Sequence, residues 1–585
     1  MTTSAAVVRP ALLASFLLSS ASAACGGAQV QAAHKAEATT DDAVVATSQP
    51  FPSRDALDAI LARPAPAFPP QLTTVSVKRW VMAGPTPRDP LGAETDSSPW
   101  TDVARSVAKS RDGELALSPA LRCAASELSR FRAEHQGMPT EPLREYLAAR
   151  CGFPFGLSAW GAIGFTVPKS MSDEKLVEQL RVKVEASLRD QIAKSKGLFG
   201  VGVSRRDDRF VVGWVFGAPR VDLDPDFARR DGAFVHLRGK FHAPVGRVIA
   251  LANGDGFSVN ACVPEPEVLP RFSLRCPLPS SKGPTFIDFA ASQPGEMLGR
   301  SLASILVHDD DDASLTWDAP QGPVTAPLVS SEALGPGILA PLNKLRAALG
   351  ARPLTLAPAQ SALNQKLAPY MAAASLGGGK DGDEIARGVL AGWDVQGAMI
   401  RDASVDFHAE VGGSAGEWLA SVLARPMSRL VLLDPQAEQV AIGGFLVPNT
   451  SITVALVSSY RVFHAGDHPD VADALALRLS AERTARGLAA PQRLVDLEGL
   501  AHATHAITEE GKDVQEALHD ALQDASTRTG RSVRGLAVTT TDPTSAPLPP
   551  EMLATGWQPF AVAVGHRRPA GAAWGEYVVL WIWAA

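Results

Sequence analysis

Three stretches of this chain follow one order of elements, and that repetition constrains the fold more than any other feature. Each reads as a helix, a short Gly-containing turn, a second helix, an irregular middle with a third helix, and two terminal strands. The first begins DVARSVAKSRDGELALSPALRCAASELSRF and the second LAPLNKLRAALGARPLTLAPAQSALNQKLAPYM. In both, the opening helix is expected to end near a glycine, Gly113 or Gly350, the residue suited to a left-handed cap. An L-x-L-x-P run follows, with Leu115, Leu117 and Pro119 in one copy and Leu354, Leu356 and Pro358 in the other. Proline then stands at the start of the second helix, where its missing N–H costs little. The third copy, ALALRLSAERTARGLAAPQRLVDLEGLAHATHAI, is looser, with Gly487, Leu494 and Leu497 in the corresponding places. The three endings, GLFGVGVSRRDDRFVVGWVFG, QVAIGGFLVPNTSITVALVSSY and PFAVAVGHRRPAGAAWGEYVVLWIWAA, each read as a β-hairpin central to a sheet.

Between the first and second copies the composition changes. FVHLRGKFHAPVGRVIALANGDGFSVNACVP and RFSLRCPLPSSKGPTFIDFAAS alternate in short runs broken by Gly, Asn and Pro, and SLASILVH follows, which reads as a small β-sandwich. The run Asp309 to Asp312 packs its acids together where a calcium loop spaces them, so it reads as a solvated linker. The chain has five cysteines. Apart from Cys25 they form two local pairs, Cys123–Cys151 and Cys262–Cys276. Disulfides are expected there if the compartment is oxidising, each contributing about 3 kcal/mol, and buried thiols if it is not.

The first 24 residues read as an export signal. The run ALLASFLLSSASA after Pro10 is too short to span a bilayer. Ala21-Ser22-Ala23 fits an ordinary cleavage site, whereas Ser22-Ala23-Ala24-Cys25-Gly26-Gly27 resembles a bacterial lipobox with Ser22 in place of its usual Leu or Val. The first cut releases the chain, the second leaves a lipid on Cys25, and an uncleaved anchor is the third outcome. The segment to Leu72 is rich in Ala, Pro, Thr and Asp and reads as a flexible tether, with Asp55 to Arg63 as a short helix within it. A net charge of −7 argues against a nucleic-acid surface and against a polybasic membrane patch.

The second copy resembles the CAP superfamily, the SCP-like extracellular domains. The matching stretch is VDFHAEVGGSAGEWLASVLARPMSRLVLLDPQAEQVAIGGF, in which Pro426, Arg429, Leu432, Leu433, Pro435 and Gly443 fit the family pattern. LNKLRAALGARPLTL fits its opening helix and turn. The resemblance implies α-β-α sandwiches and a cleft with two histidines and two acids able to bind a metal. It also implies a vestigial cleft here. The motif histidine falls on Ser428, the glutamate falls on or near Asp406, and no histidine stands between Met371 and Glu384. Zinc needs at least three protein ligands. The first copy offers only His135. The third has His502 and His505 on one helix face, with His519 and Glu509 or Glu510 as imaginable partners.

A rival enzyme reading rests on Gly412-Gly413-Ser414-Ala415-Gly416, which matches the G-x-S-x-G nucleophile elbow, with Asp434 and then His464 or His468 following in α/β-hydrolase order. Such a hydrolase needs upstream strands that the Pro/Gly-rich stretch before Leu339 does not supply. Ser414 then reads as a helix cap.

The expected class is α+β: three CAP-like α-β-α sandwich domains with an all-β sandwich inserted between the first and second. The expected order is a signal peptide over 1–24, a tether over 25–72, a CAP-like domain over 73–219, the β-sandwich over 220–318, a linker over 319–335, and CAP-like domains over 336–466 and 467–585. The expected function is that of a bacterial envelope lipoprotein, a non-catalytic binding or scaffold protein. It would need no cofactor or metal and would take a lipid, a glycan or an envelope protein as partner. It would meet the membrane through its lipid alone. The alternative is an envelope hydrolase using Ser414, or a metal site in the third copy.

Overall fold

The computed structural model describes residues 51–68, 74–84, 87, 89–109, 114–225, 227–280, 284–294, 299–307, 316–328, 330–375, 381–411, 414–448, 452–464, 466, 468–494, 498–554 and 559–584. Cys25, Gly113, Asp309 to Asp312, Gly412, Gly413 and Leu497 lie outside them. The described residues are mixed helix and sheet, an α+β arrangement. The chain divides into two compact units. One comprises Asp55–Ala386 and Val405–Ser459. The other comprises, of the described residues, 51–54, Arg387–Ser404 and those from Tyr460 onward.

The larger unit opens with α1 (Arg54–Leu61), whose Leu57 and Ile60, one turn apart, are fully buried. An apolar stripe at i, i+3 requires a surface to cover it. Arg63 beyond it pairs with Asp381 at 2.8 Å, and its carbonyl accepts the Tyr370 hydroxyl at 2.8 Å. Then come β1 (Thr74–Val75), β2 (Arg79–Val81), α2 (Pro99–Lys109), β3 (Leu115–Leu117), α3 (Pro119–His135), β4 (Met138–Pro139), α4 (Glu141–Arg150), β5 (Leu157–Thr166), α5 (Asp173–Lys194), β6 (Gly197–Arg206) and β7 (Arg209–Gly217). Ser118 caps α3, its hydroxyl accepting the Leu121 N–H, with Pro119 in the first turn. The sheet runs β3-β6-β7-β5, with β3 parallel to β6 and the other pairs antiparallel.

The next segment supplies β8 (Val221–Leu223), β9 (Arg230–Asp231), β10 (Phe234–Phe241), β11 (Arg247–Asn253), β12 (Val259–Ala261), β13 (Val263–Pro264), β14 (Arg271–Pro277), β15 (Thr285–Ser292) and β16 (Arg300–Val307). They form two sheets, β13-β14-β10-β8 with β9 on β10, and β12-β11-β15-β16. Phe289 of the second sheet meets Phe272 at 5.0 Å and Phe241 at 6.0 Å from the first, the interdigitation that holds sheets face to face. Cys262, just after β12, is bonded to Cys276 in β14, so this disulfide also ties one sheet to the other. Cys123 is bonded to Cys151, joining α3 to the end of α4. β17 (Thr316–Asp318) returns to pair with β2, Trp317 opposite Trp80.

After a stretch whose Thr325 hydroxyl accepts the Gly416 N–H at 2.9 Å, the second copy follows: α6 (Leu334–Ala348), β18 (Thr355–Leu356), α7 (Pro358–Ser375), α8 (Gly382–Ala391), β19 (Met399–Val411), α9 (Ala415–Val422), α10 (Pro426–Leu432), β20 (Gln439–Leu446) and β21 (Ile452–Phe463). The last copy has α11 (Pro469–Ala485), α12 (Glu498–Glu509), α13 (Val514–Thr529), β22 (Val533–Thr540), β23 (Phe560–Arg567) and β24 (Glu576–Ala584). The second sheet runs β18-β20-β21-β19, again with the short first strand parallel to its neighbour. The third runs β23-β24-β22, and a parallel bridge from Arg493 to Phe560 occupies the place of the short strand. One strand order therefore recurs three times. The first helix of the second and third copies ends at Gly350 and Gly487, with φ of +75° and +73°.

The second helix of a copy lies directly on the first hairpin strand. A Cβ on Gly202 would stand 2.1 Å from the Ser126 amide nitrogen, and one on Gly443 2.1 Å from the Asn364 carbonyl carbon. Such approach tolerates no side chain. Gly443→Val is expected to prevent soluble expression of the larger unit or to cost it upwards of about 3 kcal/mol, read from denaturant midpoints. A wild-type midpoint would contradict the packing described.

Candidate functional site

Strand β19 carries VDFHAEV, and strand alternation sets Asp406 and His408 on one face. Ser428 lies on the buried side of α10, 1% exposed. His408 Nε2 is 2.9 Å from Ser428 Oγ and 3.4 Å from Asp406 Oδ1. Both groups approach the same ring nitrogen, whereas a nucleophilic triad needs its acid and its serine on opposite nitrogens. Asp406 Oδ2 is buried without a hydrogen-bond partner among the described residues.

The rest of the cluster comes from the β-sandwich. Asp288 of β15 accepts the Met427 N–H through Oδ2 at 3.2 Å and the Ser304 hydroxyl through Oδ1 at 2.8 Å. Burial pushes its carboxyl above the usual carboxylate range. The two hydrogen bonds and nearby His408 act the other way, and Asp406 adds to the rise. Arg425, the residue before α10, donates to Ser304, pairs with Glu145 of α4, lies 3.9 Å from Asp288 and stacks 4.4 Å over Phe286. Burial lowers its guanidinium to about 10, opposed by Glu141, so it remains charged at neutral pH. Arg429 reaches the carbonyls of Gly256 at 3.1 Å and Ser258 at 3.3 Å and covers Phe257. Asn253 of β11 donates to the Ala424 carbonyl at 3.0 Å. Three parts of the larger unit thus converge on the segment Ala424 to Leu432, and its polar groups are spent on one another.

Ser414 is the N-cap of α9. Its hydroxyl accepts the Glu417 N–H at 3.2 Å and meets the Glu417 carboxylate at 3.2 Å, and among the described residues it bonds to no other side chain. Asp434 accepts the Gln436 N–H at 3.0 Å. Ser414 and Asp434 belong to the larger unit, and His464 and His468 to the smaller. His502, His505 and His519 are exposed on α12 and α13, and His505 sits 3.8 Å from Glu510. Among the described residues no group of three or more His, Cys, Asp or Glu side chains is arranged to hold a metal ion. His135 packs its ring on Phe131 at 4.6 Å and faces Trp80 at 5.8 Å.

Sequence reasoning passed over His408, Asp288 and Arg425. His408 carried a signal, since it stands two residues after Asp406 in an alternating strand. Arg425 precedes the motif proline without any local mark of burial. Asp288 comes from a part of the chain more than a hundred residues away, which only the docked fold reveals.

A separate histidine pair lies in the smaller unit. His468 Nε2 is 2.8 Å from His566 Nδ1, Phe463 stacks on His566 at 4.6 Å, and the Tyr577 ring stands 5.2 Å from His468. Burial, with His566, Arg401 and His464 adding positive charge, lowers His468 to about 4. The unfolded chain takes up that proton near its ordinary value of about 6.5. The contribution of neutral His468 is therefore complete above about pH 6.5 and disappears as the pH falls to about 4. Because the ring is part-exposed, it amounts to about 1–2 kcal/mol after screening. His468→Gln is expected to flatten this acid limb in melts of the smaller unit between pH 7 and 4. An unchanged slope would contradict the assignment.

No family model matches the chain, and no curated protein does. Among solved structures, an extracellular protein containing a SCP domain from Bacillus anthracis str. Ames is similar at 14% identity, over 40% of this chain and 83% of that one, with a TM-score of 0.17.

Proposed function

We propose that this is an exported lipoprotein of the bacterial envelope, built from three degenerate CAP-like domains and one β-sandwich, that serves as a non-catalytic scaffold. The observation that carries this reading is the fate of the segment that the resemblance places at the family's cleft. Ser428 is buried, and Arg425, Arg429 and the Met427 amide bind the β-sandwich and α4 instead of facing solvent. The recurring strand order supports the threefold reading, and the two disulfides suit an oxidising compartment. The Ser22-Ala23-Ala24-Cys25-Gly26-Gly27 junction supports attachment through a lipid on Cys25. Among the described residues no helix is long and apolar enough to cross a membrane.

Two measurements test this reading. Cys25→Ser should move the protein from the detergent fraction to the soluble one. An unmodified mature N-terminus at Ala24 in the native protein would defeat the anchor. Purified protein should bind less than one equivalent of zinc, and Ser414→Ala should leave any esterase activity at background. Stoichiometric zinc lost with His502→Ala, or hydrolysis lost with Ser414→Ala, would establish an enzyme in place of a scaffold.

A further inference from the structure

The smaller unit holds a cavity of about 350 Å³ where the last turn of α13, the start of β22 and the end of β24 meet the bridge segment around Arg493. That volume lies within the range of small-ligand pockets, about 300–1,000 Å³. Leu494, Val533, Ile582 and Trp583 line its apolar part, and Gln492 and Arg531 lie at its rim. Ile582 packs with Ala525 and Val533 on one face of the sheet and is 2% exposed, so the floor is fixed by the sheet, while Arg531 and Gln492 are exposed. The Arg531 backbone is held in the turn after α13, its carbonyl accepting the Ser526 hydroxyl at 3.0 Å and its N–H reaching the Thr529 hydroxyl at 3.4 Å. Among the described residues, the Arg531 guanidinium and the Gln492 amide make no hydrogen bond or ion pair. An apolar floor with one exposed cation and one amide at the mouth is complementary to a molecule with an apolar body and an anionic oxygen end.

We propose that this cavity binds a small apolar carboxylate, its hydrocarbon part against Ile582, Val533 and Leu494 and its carboxylate at Arg531. At roughly 30 Å³ per water- or methylene-sized group, the space accepts about a dozen such groups. A medium-chain acid therefore fits and a two-chain lipid does not. The proposal is independent of the scaffold reading, which rests on the larger unit.

The probe is dodecanoate, titrated below its micellar concentration into the intact mature protein by calorimetry. Saturable one-to-one binding is expected, weakened about tenfold by Arg531→Gln and abolished by Thr529→Trp, which plugs the mouth from an exposed position. Arg531→Gln should keep the wild-type circular dichroism spectrum and melting temperature, and Thr529→Trp the wild-type spectrum. Dodecan-1-ol should bind about tenfold more weakly than dodecanoate and be indifferent to Arg531→Gln. Absence of saturable binding, or binding that survives Thr529→Trp, would overturn the site. Equal affinity for acid and alcohol would overturn the ligand class. Zinc and hydrolysis measurements do not bear on any of these outcomes, so a failure here and a failure of the scaffold reading are distinguishable.

Discussion

Arg425→Ala is expected to destabilise the larger unit by about 3–5 kcal/mol, the cost of removing one partner from a buried charge pair. The loss has a definite source. Asp288 would remain buried with its nearest guanidinium gone, the Ser304 hydroxyl would lose a donor, and the face of Phe286 would lose its cover. Glu145 is half-exposed, so its share of the effect is small. Arg425→Lys should recover only part, because an ammonium cannot span serine, aspartate and glutamate as the planar fork does. Replacing both Arg425 and Asp288 with apolar residues should recover most of the loss, since the uncompensated charge is then absent. Urea unfolding of the larger unit, followed by a probe in the β-sandwich and another in the second copy, is the measurement. A loss below about 1 kcal/mol would mean that these charges are solvated and hold nothing together.

Arg346→Met and Arg483→Met should show equally large effects for a reason tied to the repeat. Arg346 is fully buried in α6 and donates to the carbonyls of Arg352 at 2.9 Å, Leu432 at 3.1 Å, Asp434 at 2.8 Å and Ala437 at 3.0 Å. Arg483 of α11, 2% exposed, donates to Ala489 at 2.8 Å, to Ala554 at 3.3 Å and to Met552. Each arginine stands four residues before the glycine that ends its helix, and each binds the carbonyl six residues on. Its remaining N–H groups pin the loop that precedes the first hairpin strand. Methionine would fill the space and leave the carbonyls without donors, at about 1–3 kcal/mol apiece before relaxation. The expected net loss is about 3–5 kcal/mol in each unit. The corresponding position in the first copy is Lys109, whose side chain is exposed. Lys109→Met should stay within about 0.5 kcal/mol. Matched losses at Arg346 and Arg483 with none at Lys109 are the expected pattern. A small loss at either arginine would contradict the equivalence.

The comparison of these arginines indicates what a sequence of this kind discloses. Helices, hairpins and turns were legible because each leaves a local mark: Pro119 after Ser118, a glycine after a helix, two apolar runs around a polar turn. The offset of Arg346 and Arg483 from their glycines was equally legible, and it was passed over because a charged residue within a helix ordinarily faces water. A short helix over Asp55 to Arg63 is legible, but eight residues do not disclose which surface covers Leu57 and Ile60. Docking of the β-sandwich on α10 left no such mark. It depends on Asp288 meeting the Met427 amide, and no spacing rule connects a strand residue to a helix start so far along the chain. For the same reason Ser428 and Asp406 drew notice through a family pattern, while His408 between them in space did not.

The segment Ala424 to Leu432 forms a joint with the β-sandwich and α4 through Arg425, Arg429 and the Met427 amide. Hydrogen–deuterium exchange of the amides in this segment, Met427 above all, tests it most directly. In the native protein the Met427 amide should be protected to about the level of the surrounding core, because its N–H is bound to Asp288 across the joint. In Asp288→Ala it should exchange at least about tenfold faster, and by a larger factor than the amides of β20 and β21. Exchange of Met427 at the rate of an exposed loop in the native protein, unaltered by Asp288→Ala, would mean that the segment is open to solvent.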